Sequence, residues 1–245
     1  MISAPDADNV GDYLISSRSF AEYEAMFMLR ESDLQGRLLD CPGGASSFTA
    51  HTSALGAVVT AVDPVYAVPV PVLQDLVQGE SDRGSAHTAA GIDRYRWEFY
   101  GDLEGHREMR KHSAAIFARD IEEHPERYVA ASLPDLPFED GQFDLVLSSH
   151  FLFTYADRLD RDFHYAALLE LHRISRREVR IFPLLDQGGH PLDDLIGAVL
   201  GRLTGQGIEA RVLEVPYEFQ RGGNKMLVMP AHPFRGARIP DDAGE

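Results

Sequence analysis

The stretch Arg37-Leu38-Leu39-Asp40-Cys41-Pro42-Gly43-Gly44-Ala45-Ser46-Ser47-Phe48 constrains this chain more than any other. Its apolar start suits a buried strand, Pro42 to Gly44 a tight turn, and the serines beyond it the opening of a helix. A second apolar run, Ala57-Val58-Val59-Thr60-Ala61-Val62, ends in Asp63, about twenty residues after the turn. A strand, a glycine turn, a helix and then an acid at the next strand tip form the layout of a nucleoside-binding α/β domain. The backbone of the turn approaches the ligand, and the acid accepts hydrogen bonds from ribose hydroxyls.

The bulk numbers fit a single domain over residues 1–245, with 44% hydrophobic residues for a core. A net charge of −16 argues against a general grip on a phosphate backbone, so nucleic acid is not an expected partner. Cys41 is the sole cysteine, which excludes an internal disulfide. The first residues lack a basic segment followed by an apolar core, and no apolar run is long enough to span a bilayer. The expectation is a soluble cytoplasmic protein that does not engage membranes, either a monomer or a homodimer.

Residues 1–12 are polar and read as loosely held. Residues 17–31 read as a helix with Phe20, Tyr23, Met26, Phe27 and Leu29 on one face, so that 1–34 forms an N-terminal helical cap. Strand 37–41, helix 46–55 and strand 57–63 follow. A strand-to-strand crossover needs one helix, yet residues 64–126 intervene before the next strand. They hold a Pro/Val segment, a Gly/Ser-rich patch from Gly79 to Gly91, an aromatic cluster from Tyr95 to Tyr100 and a helix at 104–123. This reads as a helical insertion or lid over the carboxyl edge of the sheet. A structural extension or a dimer contact is the alternative. Strands at 127–133, 143–148, 178–184, 209–217 and 225–230 then alternate with helices at 157–174 and from Leu192 to Leu203. The last two strands, joined through Arg221-Gly222-Gly223-Asn224, read as an antiparallel hairpin, and Asp157 as a helix cap.

A nicotinamide dinucleotide site wants G-x-G-x-x-G. Here two adjacent glycines stand alone, with Ser47 three residues after Gly44. The better match is another motif, an acid followed by alternating glycines. Asp40 is the acid, Pro42 stands for the first glycine, Gly44 matches the second and Ser46 stands for the third. Asp63 ends the second strand, and Leu136-Pro137-Phe138, Gly141 and Phe143-Asp144-Leu145-Val146 match an L-P-F…F-D-x-V signature. In these three motifs, and over more than half of its length, the chain resembles the class I S-adenosylmethionine-dependent methyltransferases.

The resemblance implies a three-layer Rossmann-like α/β sandwich. Its sheet is seven-stranded and mostly parallel, with the last strand antiparallel and a helical insertion after strand two. It implies S-adenosylmethionine as cofactor, S-adenosylhomocysteine as product, no metal, and a small-molecule acceptor. Gly43 and Gly44, with Pro42, lay their backbone against the methionine part, and the amides at Ser46 and Ser47 face its carboxylate. Asp40 acts near the amino group or, alternatively, satisfies turn amides. Asp63 and Pro64 meet the ribose, Ser132 and Leu133 the adenine, and Ser149 closes the fourth strand tip. His150 is the catalytic candidate, a neutral imidazole able to take a proton as the methyl moves. The alternative is a structural histidine. Tyr23, Trp97, Tyr100 and Tyr155 are the candidate walls of the acceptor pocket.

Strand four lacks N/D-P-P-Y/F, which lowers the expectation of amino-group methylation on nucleic acid. No G-x-S-x-G elbow occurs, and His106 with His112, or His164 with His172, lack metal-ligand spacing. Cyclisation or cleavage of the same cofactor, and non-catalytic binding of it, remain alternatives to methyl transfer.

Overall fold

A computed structural model describes residues 13–231; residues 1–12, expected to be loose, lie outside that span. Seven strands form one sheet: β1 (Arg37–Asp40), β2 (Val58–Val62), β3 (Tyr128–Val129), β4 (Phe143–Ser149), β5 (Ser175–Phe182), β6 (Arg211–Glu214) and β7 (Lys225–Pro230). Their order is β3-β2-β1-β4-β5-β7-β6. The first five pair in parallel, whereas β7 runs antiparallel to both β5 and β6. Successive strand residues point to opposite faces, and both faces here are covered. Leu38, Leu145 and Leu147 pack on one side with Phe27, Phe48 and Tyr217. Leu39 and Val146 pack on the other with Leu171 and Leu203. The first side carries α1 (Phe20–Phe27) and α2 (Phe48–Ala54); the second carries α5 (Arg161–Ile174) and α6 (Asp193–Gly205). Central strands covered on both faces read as continuous apolar runs, and every residue of β4 is buried.

The one acid inside β4 has a structural task. Asp144 accepts from the Arg37 amide at 2.9 Å and from Arg176 Nε at 2.9 Å, pinning the start of β1 and the edge of β5. Gly36 lies at φ +120°, and a Cβ there would meet the Asp144 carboxylate at 2.5 Å. The acid of the F-D-x-V signature therefore closes the sheet at the end away from the glycine turn.

Between β2 and β3 run α3 (Val70–Ala90) and α4 (Leu103–Glu123), packed through Leu73, Val77, Ala114, Phe117 and Ile121. Helix α3 continues straight through the Gly/Ser-rich patch. Asp102 caps α4 by accepting from the Gly105 amide at 2.8 Å.

Several boundaries differ from expectation, β5 (expected 178–184) and β6 (expected 209–217) among them. Strand three keeps two residues of the expected 127–133, because the chain turns at Ser132, which bridges to Asp135. Helix α1 opens at a Ser19–Glu22 capping box and closes at Met28 in the left-handed region, short of residue 31. Asp160, not Asp157, caps α5, accepting from Phe163 at 2.7 Å, while Asp157 pairs with Arg158. The antiparallel β6–β7 pair is linked by residues 215–224, a long connection because Val215, Tyr217 and Phe219 are buried in it. Among the described residues no helix is long and apolar enough to cross a membrane.

Candidate active site

Strand β1 has β2 on one side and β4 on the other, so the connections leave its carboxyl end in opposite directions. Ligands of open α/β sheets bind in the crevice this reversal creates. A cavity of about 300 Å³ occupies it. Pro42, Gly43 and Gly44 line it from the β1 turn, Asp63 and Pro64 from the tip of β2, Ser132 and Leu133 from beyond β3, and Ser149 and His150 from the tip of β4. Tyr23 and Tyr155 complete the set drawn from the sequence.

One oxygen of Asp63 accepts from the Gly44 amide at 3.1 Å and the other from the Val65 amide at 3.0 Å. Each oxygen retains a second lone pair. Burial raises the Asp63 pKa, and the two amides hold the rise in check.

Asp40 and Ser46 do not line the cavity. Asp40 is wholly buried behind it, with both oxygens 3.0 Å from the Tyr23 hydroxyl and one 3.0 Å from Ser46 Oγ. Burial pushes its pKa up to about 7 against these bonds. Asp40 thus reaches the cavity through the Tyr23 ring. The glycines, which line the cavity, also leave room for close packing around the turn. A Cβ on Gly43 would strike the Tyr66 hydroxyl at 2.5 Å, and one on Gly44 would press to 3.0 Å from the Ser16 carbonyl. Nor are the helix-opening amides open to a ligand: Ser46 donates to Gly43 at 3.2 Å and Ser47 to Arg18 at 2.9 Å.

Those partners belong to a strap, residues 13–18, that crosses the glycine turn. Ala45 donates to Ser16 O at 3.1 Å, Leu14 N to the Tyr155 hydroxyl at 2.8 Å and Ile15 N to Glu80 at 3.1 Å. Leu14, Ile15 and Ser16 line the cavity, as do Phe151, Leu159 and Phe163. Sequence reasoning missed all six as wall residues. Leu159 and Phe163 carry only the apolar signal of a buried helix face, and the strap is held by backbone groups that every residue has.

His150 sits at φ +51°, donates its amide to Phe182 O at 2.7 Å and places Nδ1 2.8 Å from Ser149 Oγ. Burial, then the positive charges of Arg18 and Arg110, hold its pKa well below the usual imidazole range. It borders both the first cavity and a second of about 130 Å³, as does Tyr155. Trp97 and Tyr100 line neither. Trp97 packs edge-on against Tyr95 and Phe219, and the Tyr100 hydroxyl donates to buried Glu22 at 2.7 Å. Both stand one layer behind the wall.

Among the described residues no group of three or more His, Cys, Asp or Glu is placed to hold a metal. His164 is structural, its ring nitrogens 2.7 Å from Asp160 O and 2.9 Å from Leu152 O.

A family model described as a methyltransferase domain matches residues 84–182, from the end of α3 through β5. The sheet order, with its single reversed strand, agrees with that match. The chain has the seven-stranded, mostly parallel α/β methyltransferase fold. A relative of this methyltransferase-fold chain, the uncharacterized protein MJ0045 of Methanocaldococcus jannaschii, is 29% identical over 225 residues, 90% of this chain and 97% of that protein. Two solved structures overlap more distantly. The magnesium protoporphyrin IX methyltransferase of Synechocystis PCC 6803, with bound SAM, is 13% identical (82% of this chain, 73% of that one) with a TM-score of 0.43. The PH0226 protein of Pyrococcus horikoshii OT3 is 12% identical (86% and 89%) with a TM-score of 0.46. The fold assignment rests on the matched domain and the strand order, not on these overlays.

Proposed function

We propose that the protein is an S-adenosylmethionine-dependent methyltransferase acting on a small molecule in the cytoplasm, apart from nucleic acid and membranes. The observation that carries this reading is the Asp63 carboxylate at the β2 tip, facing a cavity that meets a second one at His150. The donor set suits an adenosyl group: a buried carboxylate with lone pairs left for a diol, beside apolar walls from Leu133, Leu159 and Phe163.

S-Adenosylmethionine supplies an activated methyl, whose bond to sulfur breaks as the acceptor's new bond forms, the sulfur keeping the electron pair. Asp63 and Pro64 hold the ribose side, Ser132 and Leu133 the adenine side. Tyr23, fixed by Asp40, forms the wall beside the glycine turn. The strap closes that wall and excludes water, so the protein's main contribution is placement of two reactants, worth roughly 7 kcal/mol or more when well oriented. His150 Nε2 receives the acceptor's proton; Nδ1 is taken up by Ser149. As a neutral imidazole with a depressed pKa it is a weak base, which suits an acceptor whose proton is already acidic.

Product analysis tests this. Incubation with S-adenosylmethionine and a small-molecule extract is expected to yield S-adenosylhomocysteine and a methylated product. His150→Asn tolerates the left-handed backbone and is expected to lower kcat by roughly a hundredfold with the cofactor KM little changed. Methylthioadenosine as the nucleoside product would instead indicate cyclisation or cleavage. Binding without turnover would indicate a non-catalytic domain.

A further inference from the structure

The second cavity holds a concentration of polar groups that the fold leaves without partners. His106, 4% exposed, lines it with neither ring nitrogen hydrogen-bonded. Its ring is fixed by stacking on Phe219 (centroids 4.8 Å apart, planes within 14°) and by the edge of Tyr100 at 4.8 Å. Arg18, Ser17 and Thr154 line the same cavity, and Arg18 Nε, Ser17 Oγ and Thr154 Oγ1 are likewise buried and unpaired. Buried polar groups are normally satisfied. Four side chains with unpaired polar atoms around one space point to a ligand that completes them.

Their chemistry narrows that ligand. Arg18 offers only donors, the hydroxyls and the neutral imidazole can each donate, and the Arg18 side chain is 11% exposed. The charges are also unbalanced. Arg110 spends both terminal nitrogens on Glu22 at 2.5 and 2.6 Å, and Glu80 is paired with Arg83. Arg18 and Arg110 therefore share a single buried carboxylate, Glu22. One positive charge is left over beside the cavity. Tyr95 and Phe219 give the cavity flat aromatic faces, set among polar residues that include Ser81, Ser85, Thr88 and Gln220.

We propose that this cavity seats the acceptor, and that the acceptor is a small, flat, carboxylate-bearing molecule. Its carboxylate is bound by Arg18 and His106, and its reacting atom lies on the His150 side. This rests on the methyltransferase reading above and adds the substrate class to it.

Calorimetry in two stages separates the two claims. Wild-type protein is first titrated with S-adenosylhomocysteine; the saturated complex is then titrated with benzoate and nicotinate and with their uncharged counterparts, benzamide and nicotinamide. Each acid is expected to bind roughly tenfold or more tightly than its amide, the margin of a charge-assisted hydrogen bond. Arg18→Met and His106→Phe are each expected to remove most of that preference while leaving S-adenosylhomocysteine affinity unchanged, which also certifies that the variants are folded. Equal affinity for acid and amide, no binding of either acid by the saturated protein, or an acid preference that survives both variants overturns the inference and leaves the cofactor reading intact. No heat with S-adenosylhomocysteine at the first stage overturns both.

Discussion

At Asp40 a carboxyl with no cation against it lies fully buried between two hydroxyls, Tyr23 and Ser46. Its folded pKa, about 7, lies above the unfolded value of 3.8 because burial disfavours the charge. The stability this group contributes is therefore fully present below pH 3.8 and is lost as the pH rises through about 7. Asp40→Asn keeps the shape and cannot ionise. The variant's Tm is expected to gain on the wild type's steadily between these two values and to hold that lead above them. A difference in Tm that does not change with pH, read by scanning calorimetry, would contradict this. Asp63 was legible in the sequence because an acid at a strand tip depends only on local pattern. The inward turn of Asp40 was not, because its partner Tyr23 comes from a helix that precedes the strand, and no local signal pairs the two.

The strap over the glycine turn is the element that most departs from what pattern could show. Its hydrogen bonds to Ala45, Ser47, Tyr155 and Glu80 are all made by backbone amides or carbonyls. Such contacts carry no periodicity, whereas β1, β2 and β4 announced themselves as apolar runs. Helix α3 was hidden for the opposite reason: Gly79, Gly84 and Ser85 weaken the local helix signal, and packing of Leu73 and Val77 against α4 overrides it. The strap gives Gly44 its purpose. The residue sits at φ +53° with the Ser16 carbonyl 3.0 Å from where a Cβ would stand. Gly44→Ala is expected to cost roughly 1–3 kcal/mol through the strained backbone and to loosen the strap. Hydrogen exchange at residues 14–18 should rise well above the change seen at β4. Unchanged protection there would show that Gly44 is not what seats the strap.

Across the whole molecule two electrostatic regimes meet. The chain as a whole carries a net charge of −16, yet the space above the sheet is edged by buried Arg18 and Arg110. Glu22 ties these arginines to Tyr100 and Tyr217, so that α1, α4 and the β6–β7 connection close around one carboxylate. Burial alone would raise the Glu22 pKa, but Arg110 and Arg18 more than reverse it and keep the group ionised. This junction explains why Trp97 and Tyr100 ended one layer behind the wall. Trp97 and Tyr100, offered as pocket lining, instead pack around the Glu22 and His106 side chains, and only Tyr95 of their cluster reaches the second cavity. The fold class was legible because strand order follows from a few strong motifs. The wall of the second cavity was not, because it is assembled from the strap, α3, α4 and the β6–β7 connection, segments far apart in the chain.

The central claim is that the slot at the carboxyl ends of β1, β2 and β4 holds an adenosyl group through Asp63. Calorimetric titration of wild type and Asp63→Ala with S-adenosylhomocysteine tests it most directly. Saturable binding by the wild type is expected, weakened roughly tenfold or more in the variant by loss of hydrogen bonds to a charged group. Folded wild-type protein that gives no heat, or a variant that binds as tightly as the wild type, would contradict the account.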